Sequence, residues 1–180
     1  LVLLLAPPSS SGLPAMLRSA VRAAKDFKGE AFAVRERILP NGGAVLFYGT
    51  GGPQDEGTAF LRGAVTGLRA AGRLGLARLV VRVPSVAAVE PIVRGLRLAE
   101  AKTDRRGRRT RRDKRGKIRV LLVGAMPGDL RAAETAAEGA VFAREITDLP
   151  PNEKPPMTLA RLVAARFRGT LVRVRIRNAA

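Results

Sequence analysis

A glycine-rich stretch is the first group of residues whose types and spacing could support chemistry. Residues 49–52 read Gly-Thr-Gly-Gly and lie between an apolar stretch and a stretch of helical periodicity. Backbone N–H groups at such a place can bind a phosphate. However, the spacing departs from Gly-x-Gly-x-x-Gly, no Lys-Ser/Thr pair follows, and no acidic residue stands where a ribose contact would be expected. We therefore favour a tight strand-to-helix turn over phosphate binding.

Four carboxylates on one predicted helix form the second group. They are Glu134, Glu138, Glu145 and Asp148. Glu134 and Glu138 are four residues apart, so they share one face of a helix. Two carboxylates alone make a poor metal site, and an exposed helical face explains them more simply. We therefore assign no metal ligand in this chain.

The third group is a strongly basic segment, residues 101–117, which carries ten basic and two acidic residues, a net +8. Such a segment attracts phosphates, and the affinity should fall steeply with salt. It contains no aromatic residue that could stack on bases, so reading of a single-stranded sequence is not expected. We favour a solvated, extended loop over nucleic-acid binding. The candidate nucleic-acid contacts are Arg105, Arg106, Arg108, Arg109, Arg111, Arg112, Lys114 and Arg115.

The composition restricts catalysis by this chain. The 180 residues include no His and no Cys, which excludes imidazole bases, thiol nucleophiles and thiolate zinc sites. Acid–base chemistry would depend on Asp, Glu, Lys or Tyr48. We therefore assign no catalytic and no cofactor-binding residue. No apolar stretch approaches the roughly 20 residues of a membrane span, so we expect a cytoplasmic protein without membrane contact.

Strands and helices alternate along the chain and must position these groups. Continuous apolar stretches predict buried strands at 1–6 and 44–48. Further strands are predicted at 77–83 and, of the same apolar type, at 118–123, while alternation predicts strands at 31–39, at a sheet edge, and at 171–176. Helical periodicity covers 13–25, 57–73, 85–100 (interrupted or restarted at Pro91), 129–147, and a short helix that Thr158 caps and that reaches Phe167. This pattern predicts an α/β fold, a three-layer sandwich around a mostly parallel central sheet.

Residues 138–160 resemble the leucyl aminopeptidase (cytosol aminopeptidase) family of metallopeptidases. Residues 143–152 read Ala-Arg-Glu-Ile-Thr-Asp-Leu-Pro-Pro-Asn, and residues 155–160 read Pro-Pro-Met-Thr-Leu-Ala. These are similar to the family's Ala-Arg-Asp-Leu-Val-Asn-Thr-Pro-Pro-Asn and Thr-Pro-x-x-Leu-Ala patterns. Upstream, 27–29, 45–49, 94–99 and 118–123 follow the family's order of motifs. The chain departs from it at 147–149, and Ala101, Thr103 and Arg106 replace expected aromatic residues.

The resemblance implies a parent enzyme that removes N-terminal residues from peptides with two divalent metals, zinc, manganese or magnesium. In the family, the metal ligands and the catalytic Lys and Arg lie in a C-terminal domain, including an Asn-Thr-Asp-Ala-Glu-Gly-Arg motif that has no counterpart in this chain. Peptides would therefore bind only through a catalytic domain outside it. The family also assembles as a homohexamer, and some bacterial members bind DNA.

The resemblance also implies a domain organisation. We expect a macro-like N-terminal α/β domain at 1–128, with the basic loop 101–117, and an interdomain helix at 129–149. The truncated start of the catalytic domain is then expected at 150–180, after a boundary marked by prolines. The interpretation is a non-catalytic N-terminal domain, with a nucleic-acid-binding module as the alternative. A macro-like fold also raises ADP-ribose binding at 49–52, which fold alone does not establish.

Overall fold

The computed structural model describes residues 2–5, 15–22, 24, 26–52, 56–101 and 118–177. The chain divides into two compact units, Leu1–Val141 and Phe142–Ala180. The elements in chain order are β1 (Val2–Leu5), α1 (Ala15–Arg22), β2 (Val34–Ile38), β3 (Ala44–Tyr48), α2 (Glu56–Arg73), β4 (Arg78–Arg82), α3 (Val89–Glu100), β5 (Arg119–Val123), α4 (Pro127–Thr147) and α5 (Pro156–Arg166). Short 3-10 turns precede α3 at Val86–Ala88 and α5 at Pro151–Glu153.

The first unit is built on a five-stranded sheet in the order β2-β3-β1-β4-β5. Strands β1, β3, β4 and β5 are parallel, and β2 pairs antiparallel with β3. The structure therefore confirms the predicted α/β sandwich with a mostly parallel sheet. It also confirms the edge strand within 31–39, where the charged residues Arg35, Glu36 and Arg37 lie between Val34 and Ile38.

One face of the sheet is covered by α2 and α3. Leu3, Leu46 and Val81 from three neighbouring strands pack with Phe60 of α2 and Ile92 of α3, all nearly or completely buried. The two helices are in close contact at Gly95, where a side chain would not fit. A Cβ atom at this position would lie 2.3 Å from the carbonyl oxygen of Leu61. Ala133 and Ala137 of α4 belong to the same core. This face therefore carries most of the buried apolar surface.

The opposite face is covered by α1 over part of its width. Ala20 and Val21 of α1 pack against Val45 and Phe47 of β3. The rings of Phe27 and Phe47 lie 6.1 Å apart between centroids, a separation typical of favourable aromatic pairs. Among the described helices, only α1 contributes to this cluster. Two strands, β1 and β4, separate β3 from β5, which lies at the edge of the sheet.

The prediction that the strand at 118–123 is of the same apolar type as the buried strands was wrong in one respect. Strand β5 forms there, but its residues alternate between exposed and partly buried, and Leu121 is 59% exposed. Val120 and Leu122 face the core beneath α2 and α3. The difference arises because β5 is an edge strand that is covered on only one face.

The helical segment 85–100 restarts close to Pro91, as one of the two predicted alternatives has it: a 3-10 turn ends at Ala88, α3 begins at Val89, and Pro91 lies in the first turn, where N–H groups lack helical partners. Two other local predictions need correction. Thr158 does not cap α5, because the helix begins at Pro156 and Pro155 is its N-cap residue. Residues 172–177 form no strand within the described part of the chain. A strand requires a hydrogen-bonded neighbour, and alternation alone does not provide one.

None of the helices in the described part of the chain is both long and apolar enough to cross a membrane.

Candidate functional site

The strand order makes the carboxyl ends of β1 and β3 the place where a ligand would be expected. These strands are neighbours, but the helix that follows β1 covers one face of the sheet and the helix that follows β3 covers the other. In open parallel sheets, ligands bind where the connections diverge in this way. Residues 49–52 directly follow β3 and therefore lie at this edge. Position alone thus makes the glycine-rich stretch a candidate site.

The backbone groups of this stretch are largely engaged by the protein itself. The Gly49 N–H donates to the carbonyl of Ala33 at 2.8 Å, and the Gly51 N–H donates to the carbonyl of Gly29 at 3.1 Å. In return, the Phe32 N–H donates to the carbonyl of Gly49 at 2.9 Å. Two of the amides that a phosphate would require are therefore already occupied by residues 29–33.

Close packing explains why glycine stands at these two positions. A Cβ atom at Gly49 would lie 1.9 Å from the carbonyl oxygen of Glu30. Gly51 has a φ of +67°, and its Cβ atom would lie 2.6 Å from the Cβ of Ala31. No residue larger than glycine fits at Gly49 without a backbone shift. The glycines allow a close approach between two segments of the protein, which supports the tight turn.

Tyr48 and Arg62 lie next to this turn but do not form an acid–base pair. Tyr48 is almost completely buried, and burial raises the pKa of its phenol, although Arg62 and a hydrogen bond with Thr66 act in the opposite direction. The Arg62 guanidinium carbon lies 4.6 Å from the centroid of the Phe32 ring, a cation–π contact. A buried phenol that stays protonated is a poor general base, so Tyr48 acts as a core residue.

Two of the four carboxylates predicted to share one helix are paired with arginines: Glu134 lies on α4, and Asp148 directly follows its last residue, Thr147. Glu134 Oε1 lies 3.3 Å from Arg97 Nη2, and Asp148 Oδ2 lies 3.4 Å from Arg144 Nε. No group of three or more acidic residues within the described ranges could hold a metal ion. Side chains that face guanidinium groups do not fit a site for two divalent cations, because the cations would have to displace the arginines.

The eight basic residues proposed as nucleic-acid contacts lie outside the described residues. They are Arg105, Arg106, Arg108, Arg109, Arg111, Arg112, Lys114 and Arg115. Their role stays a prediction.

Sequence reasoning did not identify an exposed surface on β4 and β5. Arg82 and Arg119 are exposed there, next to the exposed aliphatic side chains of Leu121 and Val123. The signal was present, since Arg78, Arg82 and Arg119 stand at the ends of these otherwise apolar segments. It was overlooked because four of the five residues of β5 are apolar, which indicates a buried strand.

Sequence comparison identifies no relative of this chain: no family model matches it, and no curated protein matches it. Structure comparison does find similar folds. A tomato leucine aminopeptidase mutant superposes with a TM-score of 0.64 at 18% identity, covering 92% of this chain and 39% of that protein.

Two further structures are of a bottromycin maturation enzyme, BotP. The one in complex with Mn matches with a TM-score of 0.60 at 19% identity over 92% of this chain and 36% of BotP. The other matches with a TM-score of 0.59 at 20% identity over 92% of this chain and 37% of BotP.

These matches establish the class of fold. The described chain has the α/β architecture found in part of the tomato leucine aminopeptidase structure and in part of BotP. Identities of 18–20% carry no further conclusion about activity. The chain spans only about two-fifths of the length of these structures.

Proposed function

We propose that this chain is the N-terminal, non-catalytic part of a leucyl-aminopeptidase-like metallopeptidase. The observation that carries the proposal is the extent of the structural match, which includes 92% of this chain but only 36–39% of the aminopeptidase structures. The motif resemblance at 138–160 is an independent argument for the same family. In this proposal, the parent enzyme is cytoplasmic, forms a homohexamer and removes N-terminal residues from peptides.

The metal chemistry of the parent belongs to residues outside this chain. Two divalent metals, zinc, manganese or magnesium, would polarise the peptide carbonyl and lower the pKa of a bound water. The described residues do not fit such a pair, because the acidic side chains Glu134 and Asp148 are each paired with an arginine. We therefore derive no catalytic step from the residues of this chain.

The contribution of this chain is to build a stable domain and an ordered connection. In the second unit, the Lys154 ammonium donates to the carbonyl of Thr147 at the end of α4. Leu149 is buried, and the Asp148 N–H continues the helical hydrogen bonding to the carbonyl of Arg144. The proline-rich segment that follows α4 is thus fixed by specific contacts. Such a connection suits a segment that leads from one domain towards another.

Hydrolysis and metal binding by the purified chain test this proposal together. With leucine p-nitroanilide and added Mn²⁺, we expect no turnover above the buffer rate. We also expect no stoichiometric Mn²⁺ binding by calorimetry. The host strain should lack its own leucyl aminopeptidase, so that a contaminant cannot supply activity. Turnover by the wild-type chain that is lost in Glu134→Gln, or binding of two Mn²⁺ per chain, would overturn the proposal.

A further inference from the structure

The two strands at one end of the sheet present a mixed basic and aliphatic surface, which we name the β4–β5 face. It consists of Arg78, Val80 and Arg82 on β4 and Arg119, Leu121 and Val123 on β5. In the sheet register, Arg78 is opposite Arg119, Val80 is opposite Leu121, and Arg82 is opposite Val123. These six side chains therefore share one face of the sheet.

The β4–β5 face is an extension of the face covered by α1. Val80 is in register with Val2, and Val2 packs into the cluster of α1 and β3. That cluster ends before β5, so Leu121 and Val123 remain 59% and 47% exposed. Adjacent exposed aliphatic side chains on a regular surface are typical of a binding site, because covering them removes apolar area from water.

Charge decides what kind of partner can cover this face. None of its six residues is acidic. Arg82 and Arg119 form no ion pair or hydrogen bond with the described part of the chain beyond the backbone pairing of the strands. Covering these guanidinium groups without a carboxylate would cost desolvation energy, so the partner must supply negative charge.

The basic segments of this chain do not have the required charge. Residues 101–117 carry a net +8, and residues 171–177 alternate aliphatic residues with three arginines. The acidic helix α4 already packs into the core on the α2 and α3 side through Ala133 and Ala137. A second copy that docked through the same face would oppose arginines with arginines. We therefore look for the occupant in an acidic partner protein.

The geometry of a sheet face also favours a particular backbone conformation. The backbone groups of β4 and β5 are used within the sheet, so a segment lying on the face finds no backbone partners there. A helix satisfies its own backbone groups. Arg78 and Arg82 are separated by four residues, about 13 Å along a strand. That distance corresponds to about nine helical residues.

We infer that the β4–β5 face binds an acidic amphipathic α-helix of a partner protein. The apolar stripe of the helix covers Val80, Leu121 and Val123, and its flanking carboxylates pair with Arg82 and Arg119. A nucleic acid fits less well, because phosphates would contact the arginines but leave the aliphatic side chains in water. The face also holds no aromatic side chain for base stacking. This inference does not depend on the proposed function.

Fluorescence anisotropy with a designed peptide tests the inference. The probe is a labelled helical peptide of about 16 residues, with Leu along one face and Glu on both sides of it. A peptide with Lys in place of each Glu controls for apolar binding alone. The protein variants are Leu121→Gln and the double variant Arg82→Glu/Arg119→Glu. All three side chains are exposed, so these variants should keep the unfolding midpoint of the wild type, which a urea titration checks.

Matched variants elsewhere in the chain control for general effects. Ile38→Gln changes an aliphatic side chain that is 72% exposed on β2, and Arg69→Glu changes an exposed arginine of α2. We expect saturable binding of the Glu peptide, weakened about tenfold or more by each change on the β4–β5 face. We expect a change below about twofold for the two controls and no binding of the Lys peptide.

Several results would overturn the inference. One is the absence of saturable binding up to about 1 mM peptide. Another is an equal loss of affinity in Arg69→Glu, which would show non-specific charge attraction. A third is that duplex DNA displaces the peptide and that the Leu121→Gln variant binds DNA and peptide as tightly as the wild type does. The face would then be an anion site without an apolar contact. If sedimentation shows a dimer that Leu121→Gln dissociates, the occupant is a second copy.

Discussion

Strands β3 and β5 have similar apolar sequences but different environments. β3 reads Ala-Val-Leu-Phe-Tyr and is buried at all five positions, whereas β5 reads Arg-Val-Leu-Leu-Val and is buried on one face only. Apolar composition therefore predicts that a strand forms in a parallel sheet. It does not predict how many faces of that strand are covered.

The direction of each crossover explains the difference. From β1 the chain moves to β3 on one side and places α1 on one face. From β3 to β4 and from β4 to β5 it moves in the other direction, and it places α2 and α3 on the opposite face. Because crossovers are right-handed, reversing the direction exchanges the face. β3 therefore lies between helix layers, while β5 has helices on one side only.

The largest expected effect on the free energy of unfolding comes from removing the aromatic ring of Phe47 in β3. Phe47 is completely buried and packs against Phe27 and α1, so Phe47→Ala should lower the free energy of unfolding by about 3–5 kcal/mol. Urea unfolding followed by circular dichroism measures this loss. A loss below about 1 kcal/mol would mean that α1 does not cover β3 in solution.

A second prediction compares the two faces of β5 itself. Leu122 packs against the core, whereas its neighbour Leu121 is mostly exposed. Leu122→Ala should cost about 1–2 kcal/mol, because it removes partly buried methylene and methyl groups. Leu121→Ala should change the free energy of unfolding by less than about 0.5 kcal/mol. Equal losses in the same urea titration would contradict the one-sided burial of β5.

A third prediction uses the only tyrosine of the chain as a probe of burial at the end of β3. Burial raises the pKa of Tyr48 above its ordinary value of 10.0. The folded protein then keeps this proton longer than the unfolded chain. Its contribution to stability is complete below pH 10.0 and is lost as the pH rises through the folded pKa.

The ultraviolet absorbance of phenolate reports on Tyr48 alone. We expect a midpoint above 10.0 in the folded protein and a return to that value in concentrated urea. Tyr48→Phe should remove the signal and reduce the alkaline loss of stability. A folded midpoint at or below the urea value would show that the phenol is solvated.

The smallest expected effect concerns the other edge of the sheet. Glu36 of β2 pairs with Arg73 of α2 at 2.6 Å, but the arginine side chain is 69% exposed. Glu36→Gln should therefore cost at most about 1 kcal/mol, less at high salt. Glu145→Gln removes an exposed carboxylate without an ion pair in the described part of the chain and serves as the control. A loss of several kcal/mol would show that β2 depends on this pair.

The local sequence pattern predicted which segments form helices and strands better than it predicted how deeply those segments are buried. Charges at Arg35, Glu36 and Arg37 correctly indicated an edge strand, because ionised side chains need water on at least one face. At 171–176, the alternation of aliphatic residues with Arg predicted a strand that is not found in the described residues. The difference is the partner: β2 has β3 beside it. Pairing partners come from distant parts of the chain, which a local pattern does not contain.

At the candidate sites, too, the sequence predicted the local structure but not the contacts between distant residues. The sequence favoured a turn at 49–52, and the structure supplies the reason, because Gly49 leaves room for the carbonyl of Glu30. The pairing of Glu134 with Arg97 was not visible in the sequence, since the two residues are 37 positions apart. The β4–β5 face required the sheet register that aligns Val80 with Leu121.

By itself, the sequence determined most of the segments that form strands and helices, the mostly parallel sheet and the lack of His and Cys chemistry. These properties follow from residue types and short-range periodicity. Local conformational preference and the burial of apolar side chains favour the same secondary structure for a segment wherever it lies in the fold. Only the tertiary structure decided the order of the strands and hence which faces are covered. That order depends on crossover direction and long-range packing, so it leaves β3 buried on both faces and β5 open on one.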